Sequence, residues 1–265
     1  MRDFKTVEEK AEEWSVSFRH IQNLCRKGKI EGAIKRVGAW FIPDDVVNPM
    51  KNTKANARNF KFVGTKKKIF YEAIELFASH GFENVSIKDI AGAVGIRQSA
   101  VYNHFKSKQE ILDTIYDYYR YAYCANRPTL EEMEPVLRKG SVLDIIMAVK
   151  DVFGEEHQAT LFKAAQIVFH RAFFDEKAKE LVKSLTLEEG LTFVEVVFRK
   201  AIEIGRFASF DVHTVAIVVN AIRVYALLNW IVDPSNENIE EMAHDEQALY
   251  KYTVGLFPEL NSPLN

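Results

Sequence analysis

From Thr65 onward, apolar residues return every three or four positions, and each run is closed by glycine, proline or a polar cluster. No stretch in this part alternates apolar with polar residues as a half-buried strand does. The spacing predicts a helix from Thr65 to a stop at Gly81, with Ile69, Ala73, Ile74, Phe77 and Ala78 on one face. A short helix follows, capped by Ser86 and carrying Ile87, Ile90, Ala91 and Val94, then a turn at Gly95 and a third helix through Ser99, Val101, Tyr102 and Phe105. Further helices are expected near 107–125, 129–138, 142–153, 157–173, 175–185, 187–205, 211–232 and 236–255. Thr214 to Val232 is apolar enough to raise the question of a membrane span, but it holds Asn220, Arg223 and Asn229. An arginine at the centre of such a span costs roughly 2.5–3.5 kcal/mol. A helix buried in protein is therefore expected, with no membrane partner.

The first 47 residues have a different grammar. Thr6 and Glu9 form a capping-box signature for a helix to about Trp14, and Ser15-Val16-Ser17 interrupts it. Ser17 caps a second helix on which Phe18, Ile21, Leu24 and Cys25 make an apolar stripe ending at Gly28, leaving Arg19, Asn23 and Arg26 opposite. Residues 33–36 and 39–42 flank Val37-Gly38 as two short strands, with Pro43 closing the second. This unit resembles the excisionase and MerR-like winged helix-turn-helix family through Thr6-Val7-Glu8-Glu9-Lys10-Ala11, Ser15-Val16-Ser17, Arg26-Lys27-Gly28-Lys29-Ile30 and Gly38-Ala39-Trp40-Phe41-Ile42-Pro43. The resemblance implies that Arg19, His20, Asn23 and Arg26 contact groove or phosphate and that Lys35 and Arg36 are wing contacts. The alternative is a protein-binding unit with a solvated basic face. Residues 48–64 are polar and basic, with Lys51, Lys54, Arg58 and Lys61, and read as a linker.

The helices after the linker carry a second resemblance, to TetR-type (tetracycline repressor family) transcriptional regulators. It runs through Ala73-Ile74-Glu75-Leu76-Phe77-Ala78-Ser79-His80-Gly81-Phe82, Ser86-Ile87-Lys88-Asp89-Ile90-Ala91, Val94-Gly95-Ile96 and Val101-Tyr102-Asn103-His104-Phe105-Lys106-Ser107-Lys108. The glycine turn lets the third helix cross the second, and its short early side chains allow close approach to base edges. The resemblance implies that Gln98, Ser99, Ala100 and Asn103 read sequence in the major groove of double-stranded DNA. It implies phosphate contacts for Tyr102, His104 and Lys108, with Lys88 a further candidate. Arg97 stands where the family commonly has a small hydroxyl residue, so the third helix lacks its usual cap and Arg97 becomes a DNA candidate itself. Val101 and Phe105 are expected in the core.

Charge supports this division. Residues 51–110 hold 11 basic and 5 acidic side chains, whereas residues 111–265 hold 15 and 24, in a chain of 265 with a net charge of −2. A basic segment before an acidic body is expected when one part touches a polyanion. The domain reading is thus residues 1–47, a winged helix-turn-helix; 48–64, a linker; 65–110, the TetR-type reader; and 111–265, a helical ligand-binding and dimerisation body.

By the family resemblance, the segments 211–232 and 236–255 form a homodimer interface and the middle helices enclose a cavity for a small-molecule inducer. Phe153, Phe162, Phe169, Phe173, Phe193 and Phe198 are aromatic wall candidates; His157, Gln166, His170, Asn220 and Tyr225 are polar ones. Cys25 and Cys124 stand apart without metal-type spacing, and the histidines show no ligand spacing, so neither a metal nor another cofactor is expected. No nucleophile, base and orienting group share a recognisable context, which argues against an enzyme. Met1 to Lys10 has no apolar block, giving a cytoplasmic expectation. The resulting reading is a ligand-responsive transcriptional repressor on a palindromic operator. A DNA-architectural or recombination accessory factor is the alternative, suggested by the excisionase likeness.

Overall fold

The computed structural model describes residues 3–14, 18–26, 28–36, 38–47, 62–125, 127–150, 158–232 and 236–257. Its first elements are β1 (Phe4–Thr6), α1 (Val7–Trp14), α2 (Phe18–Arg26), β2 (Ile34–Arg36) and β3 (Ala39–Pro43). After residue 62 come α3 (Gly64–His80), α4 (Ile87–Val94), α5 (Gln98–Tyr102), α6 (Lys108–Ala125), α7 (Leu130–Lys139), α8 (Val142–Lys150), α9 (Gln158–Arg171), α10 (Glu176–Leu181), a π-helical segment (Val182–Glu189), α11 (Gly190–Glu203), α12 (Val212–Val232) and α13 (Asn236–Leu256). The chain divides into two compact units: Thr53–Arg127 with Val152–Lys183, and the remainder.

The N-terminal elements form a three-stranded antiparallel sheet in the order β1-β3-β2. The expected hairpin is present, with Ile34 opposite Phe41 and Arg36 opposite Ala39. Strand β1 was not expected. It lies opposite β3, with Phe4 facing Pro43, and three residues are too few to carry an alternating pattern of their own. The capping box is formed: Glu9 N–H donates to Thr6 Oγ1 (3.2 Å) and Thr6 N–H to Glu9 Oε2 (2.7 Å). Val7, Ala11, Trp14, Ile21, Cys25, Ile30 and Ile42 make the core, and burial pushes the Cys25 thiol up to about 11. Phe18, expected on the apolar stripe, is 41% exposed, and Ile21, Leu24 and Cys25 carry the stripe into the core. Lys10 is wholly buried, a position normally costly for an ammonium. Its Nζ donates to the Asp44 carbonyl (2.9 Å), pairs with Glu13 (2.9 Å) and lies 5.4 Å from the Trp14 ring centre.

In the unit containing α3–α6, Ile69, Ala73, Ile74 and Phe77 are buried as their spacing predicts. Helix α9 packs on α3 and α6. Ion pairs Lys163–Glu75 and Arg171–Glu83 (2.7 Å) link α9 to α3 and to the turn after it. The Tyr116 hydroxyl on α6 donates to Asp175 (3.1 Å), which caps α10 through the Lys177 and Ala178 amides.

Helices α7, α8, α11, α12 and α13 share a core that includes Met133, Leu137, Ile145, Phe193, Phe198, Val215 and Tyr250. The expected break near residue 186 is absent. The chain instead runs from α10 through the π-helical turns into α11. A π turn frees a carbonyl from the regular ladder. The Thr186 carbonyl accepts from Asn220 Nδ2 (3.4 Å) and Arg223 Nη2 (3.3 Å), and the same Nη2 donates to Asn220 Oδ1 (2.8 Å). Gly190 permits this approach, because a Cβ there would overlap the Arg223 guanidinium. Among the described residues, α12 is the one helix long and apolar enough to cross a membrane; here it packs against α11 and α13, with Asn220 and Arg223 bonded within the protein.

Candidate nucleic-acid interface

Helix α4 is fixed at both ends by local chemistry. Asp89 N–H donates to Ser86 Oγ (3.2 Å), and Ser86 N–H donates to Asp89 Oδ2 (2.7 Å). The Ser86 hydroxyl and amide hold the Asp89 carboxyl below the usual aspartate range. At the other end Gly95 adopts φ 76°, ψ 32°. Ile96 N–H returns to the Ala91 carbonyl (2.9 Å) and Gly95 N–H to that of Gly92 (3.1 Å), a Schellman closure that needs a left-handed residue. That turn sets the direction in which α5 leaves.

Helix α5 begins after Arg97, which is extended and makes no side-chain cap, in keeping with the missing hydroxyl. Val101 and Phe105 are buried and pin the helix. Arg97, Gln98, Ser99, Tyr102 and Asn103 are exposed, as is Lys88 on α4; Ala100 and His104 are half-buried. All nine expected DNA residues thus retain some solvent access, Lys108 being half-buried like Ala100 and His104.

Lys108 has a different task. Its Nζ donates to the carbonyls of Phe82 (2.8 Å) and Val85 (2.9 Å) and lies 4.2 Å from the Phe82 ring centre. Arg171 sits 5.1 Å from the same ring. Two cations therefore clamp the turn between α3 and α4.

Lys66, Lys67 and Lys68, in the first turns of α3, were missed as candidates. Cations at a helix N-terminus oppose the macrodipole, and that mismatch was the available signal of a purpose outside the helix. Lys66 Nζ is 5.1 Å from the ring centres of both Phe62 and Phe105, which brings it to the end of α5. Lys67 Nζ lies 5.7 Å from the Tyr71 ring centre on α3 itself.

Residues 69–115 match the family model described as bacterial regulatory proteins, tetR family. The chain is a DNA-binding transcriptional regulator whose reader is of the TetR type.

Its likeness extends beyond the reader. The chain is 25% identical over 209 residues to the HTH-type transcriptional regulator AcrR of Shigella flexneri, covering 75% of this chain and 93% of the relative. It is 22% identical over 204 residues to the probable acrEF/envCD operon repressor of Escherichia coli K12, covering 73% and 86%. A solved structure of a transcriptional regulator from Saccharomonospora viridis, in complex with choline, shares the fold with a TM-score of 0.52 and 16% identity, covering 71% of this chain and 94% of that one. The excisionase and MerR-like resemblance of the first 47 residues draws no support from these likenesses.

In the N-terminal elements of this regulator, Arg26, Lys35 and Arg36 are exposed. Arg19, His20 and Asn23 lie on α2, but their side chains are outside the described residues, as are the basic positions Lys51, Lys54, Arg58 and Lys61.

The ligand candidates do not converge as one set. Phe162, Gln166 and Phe169 are half-buried on α9, where His170 is exposed. Phe193 and Asn220 belong to the other compact unit and are buried, Asn220 being engaged by Thr186 and Arg223. Phe198 is also buried there, whereas the polar candidate Tyr225 and the wall candidate Phe173, just after α9, are exposed. His157 and Phe153 fall outside the described residues. An open pocket of about 420 Å³ lies elsewhere, lined by Arg199, Ile202, Ser209, Phe210, Asp211, Val212 and His213, none of which the sequence reading named.

Proposed function

We propose that this regulator is a ligand-responsive repressor that binds a palindromic operator as a homodimer in the cytoplasm, acting by occupancy and without catalysis. The observation that carries the reading is α5 itself: Val101 and Phe105 lock it to the reader while Gln98, Ser99, Tyr102 and Asn103 face outward. Gln98, Ser99, Ala100 and Asn103 read bases, and Arg97, Tyr102, His104 and Lys88 hold phosphates. Two such helices about 34–36 Å apart meet successive major-groove faces.

Dimerisation draws on the outer faces of α12 and α13. Ile217, Tyr225, Leu228 and Val232 form an exposed stripe on one, and Leu249, Tyr252 and Leu256 on the other. Apolar area of this kind on the last two helices fits a second copy of the chain. The inducer is a small molecule held among helices of the body, with Phe162, Gln166, Phe169 and His170 as contributors from α9. Because α9 and α10 share a compact unit with the reader, ligand-driven movement of α9 carries the reader with it and changes the spacing of the two recognition helices. The N-terminal unit is, in this reading, a winged helix-turn-helix of excisionase or MerR type.

The test is selection of binding sites from random duplex DNA by the full chain. A palindrome should emerge, and Gln98→Ala or Asn103→Ala should relax single base positions at a cost of about 1–3 kcal/mol. An unenriched pool would sink the reading.

A further inference from the structure

We propose that the open pocket at the junction of α11 and α12 is a binding site for small organic monocarboxylates with an apolar body. The site goes beyond the reading as a repressor, since it is built from none of the residues assigned to DNA or to the inducer. Its volume of about 420 Å³ is in the usual range of small-molecule sites. The walls are held by local chemistry. Arg206 N–H returns to the Ala201 carbonyl (2.9 Å) at the end of α11, and Arg206 Nη2 donates to the Gly140 carbonyl (2.9 Å). Phe207 beside it is buried, so the chain between the two helices is fixed by both backbone and side chains. Phe210 then packs edge-on against Phe198, with ring centres 5.8 Å apart. Ile202, Phe210 and Val212 therefore line the pocket with apolar surface that rests on the core of the body.

The polar groups select the charge of the occupant. Asp211 lines the pocket, but its carboxylate is committed to the start of α12, where it accepts from Thr214 Oγ1 (2.6 Å) and the Thr214 amide (3.2 Å). The Thr214 hydroxyl and amide hold that carboxyl below the usual aspartate range. Glu195, one turn before Arg199 on α11, bonds through Oε1 to His213 Nδ1. A carboxylate can only accept, so Nδ1 carries a proton toward Glu195 and Nε2 is left for a ligand. The other Glu195 oxygen lies 3.7 Å from Arg199 Nη2, an ion pair too long to be a hydrogen bond. Arg199 is exposed and keeps its N–H donors. The two cations stand against opposite oxygens of one carboxylate, close enough to share a second. An incoming carboxylate supplies the acceptors they lack, taking the fork of Arg199 and the protonated Nε2 of His213, while its apolar body displaces water from Ile202, Phe210 and Val212. An amine in the same place meets Arg199 as a like charge.

The experiment is saturation-transfer NMR on the full chain with phenylacetate, phenethyl alcohol and phenethylamine, which share an apolar body and differ in charge. Phenylacetate should bind with a millimolar Kd or tighter, as suits a ligand of its size, and about three- to tenfold more tightly than the alcohol or the amine. Arg199→Gln should remove most of that preference, and Arg199→Lys should restore part of it. Ser209→Phe fills the pocket from an exposed lining position and should abolish binding of all three. Gln166→Ala on α9 should leave phenylacetate binding unchanged. Melting curves matching the parent's establish that each variant is folded. Equal binding of acid, alcohol and amine with no response to Arg199→Gln overturns the assignment, as does absence of saturation transfer to phenylacetate at millimolar concentration. Loss of binding in Gln166→Ala, with retention in Arg199→Gln and Ser209→Phe, also overturns it and moves the acid to the proposed inducer site. None of these readouts involves DNA, so failure of the repressor reading is seen separately in the selection of operator sites.

Discussion

Lys108 shows how one side chain separates two roles that look alike in a sequence. A phosphate-binding lysine lost to methionine should reduce the salt slope of DNA binding by about 0.9, with little effect on folding. The observed lysine instead donates to two carbonyls and covers the Phe82 ring. Lys108→Met is expected to lower unfolding stability by about 1–3 kcal/mol and leave the salt slope unchanged. Chemical denaturation and a salt titration of anisotropy measure the two effects separately. Ser86 and Asp89 give a second prediction at this scale. Ser86→Ala should cost about 1 kcal/mol through loss of the cap. Asp89 titrates below its unfolded value, so its contribution is fully present above about pH 4 and is lost as pH falls through the lower folded value. Stability measured from pH 3 to 7 should therefore fall less steeply at the acid end in Asp89→Asn than in the parent.

At the scale of elements, the π-helical segment depends on a glycine that yields space to a guanidinium. A methyl group at position 190 forces Arg223 away from Thr186 and Asn220 and leaves a freed carbonyl poorly satisfied. Gly190→Ala should destabilise the protein by about 1–3 kcal/mol. Adding Arg223→Ala should cost less than the sum of the two single changes, a non-additivity that thermal melts of the four proteins can read. Helix α9 offers a parallel case, because Arg171 pairs with Glu83 and lies over Phe82. Arg171→Met is expected to loosen the turn before α4, costing about 1 kcal/mol and weakening operator binding, since α4 supports α5. An Arg171→Met protein with parental operator affinity would disprove that link.

Over the whole molecule, the exposed stripes of α12 and α13 decide whether two readers act together. Leu228→Glu combined with Leu256→Glu places charge on both stripes and should give a monomer by sedimentation. Operator affinity should then fall by about a hundredfold or more as the second reader is lost. A variant that sediments as a dimer would exclude these faces as the interface. The reader should still fold in the monomer, since Ile69, Phe77, Val101 and Phe105 are buried within a single chain.

What the sequence determined by itself was the local part. Helix spacing, the Thr6–Glu9 and Ser86–Asp89 caps, the Gly95 turn and the outward positions of α5 follow from residues within a few places of one another, and periodicity and capping act at that range. The family likeness of the reader was legible for the same reason, being a continuous run. Tertiary structure decided the rest. β1 is a strand because of what lies across from it in β3, and Lys10 is buried because Asp44 and Val46 supply carbonyls more than thirty residues away. The inward turn of Lys108, the engagement of Asn220 by the π segment and the outward turn of Tyr225 likewise depend on partners or faces that helical spacing does not encode. Hydrogen bonding and burial are settled by neighbours in space, and for these groups the neighbours are distant in sequence.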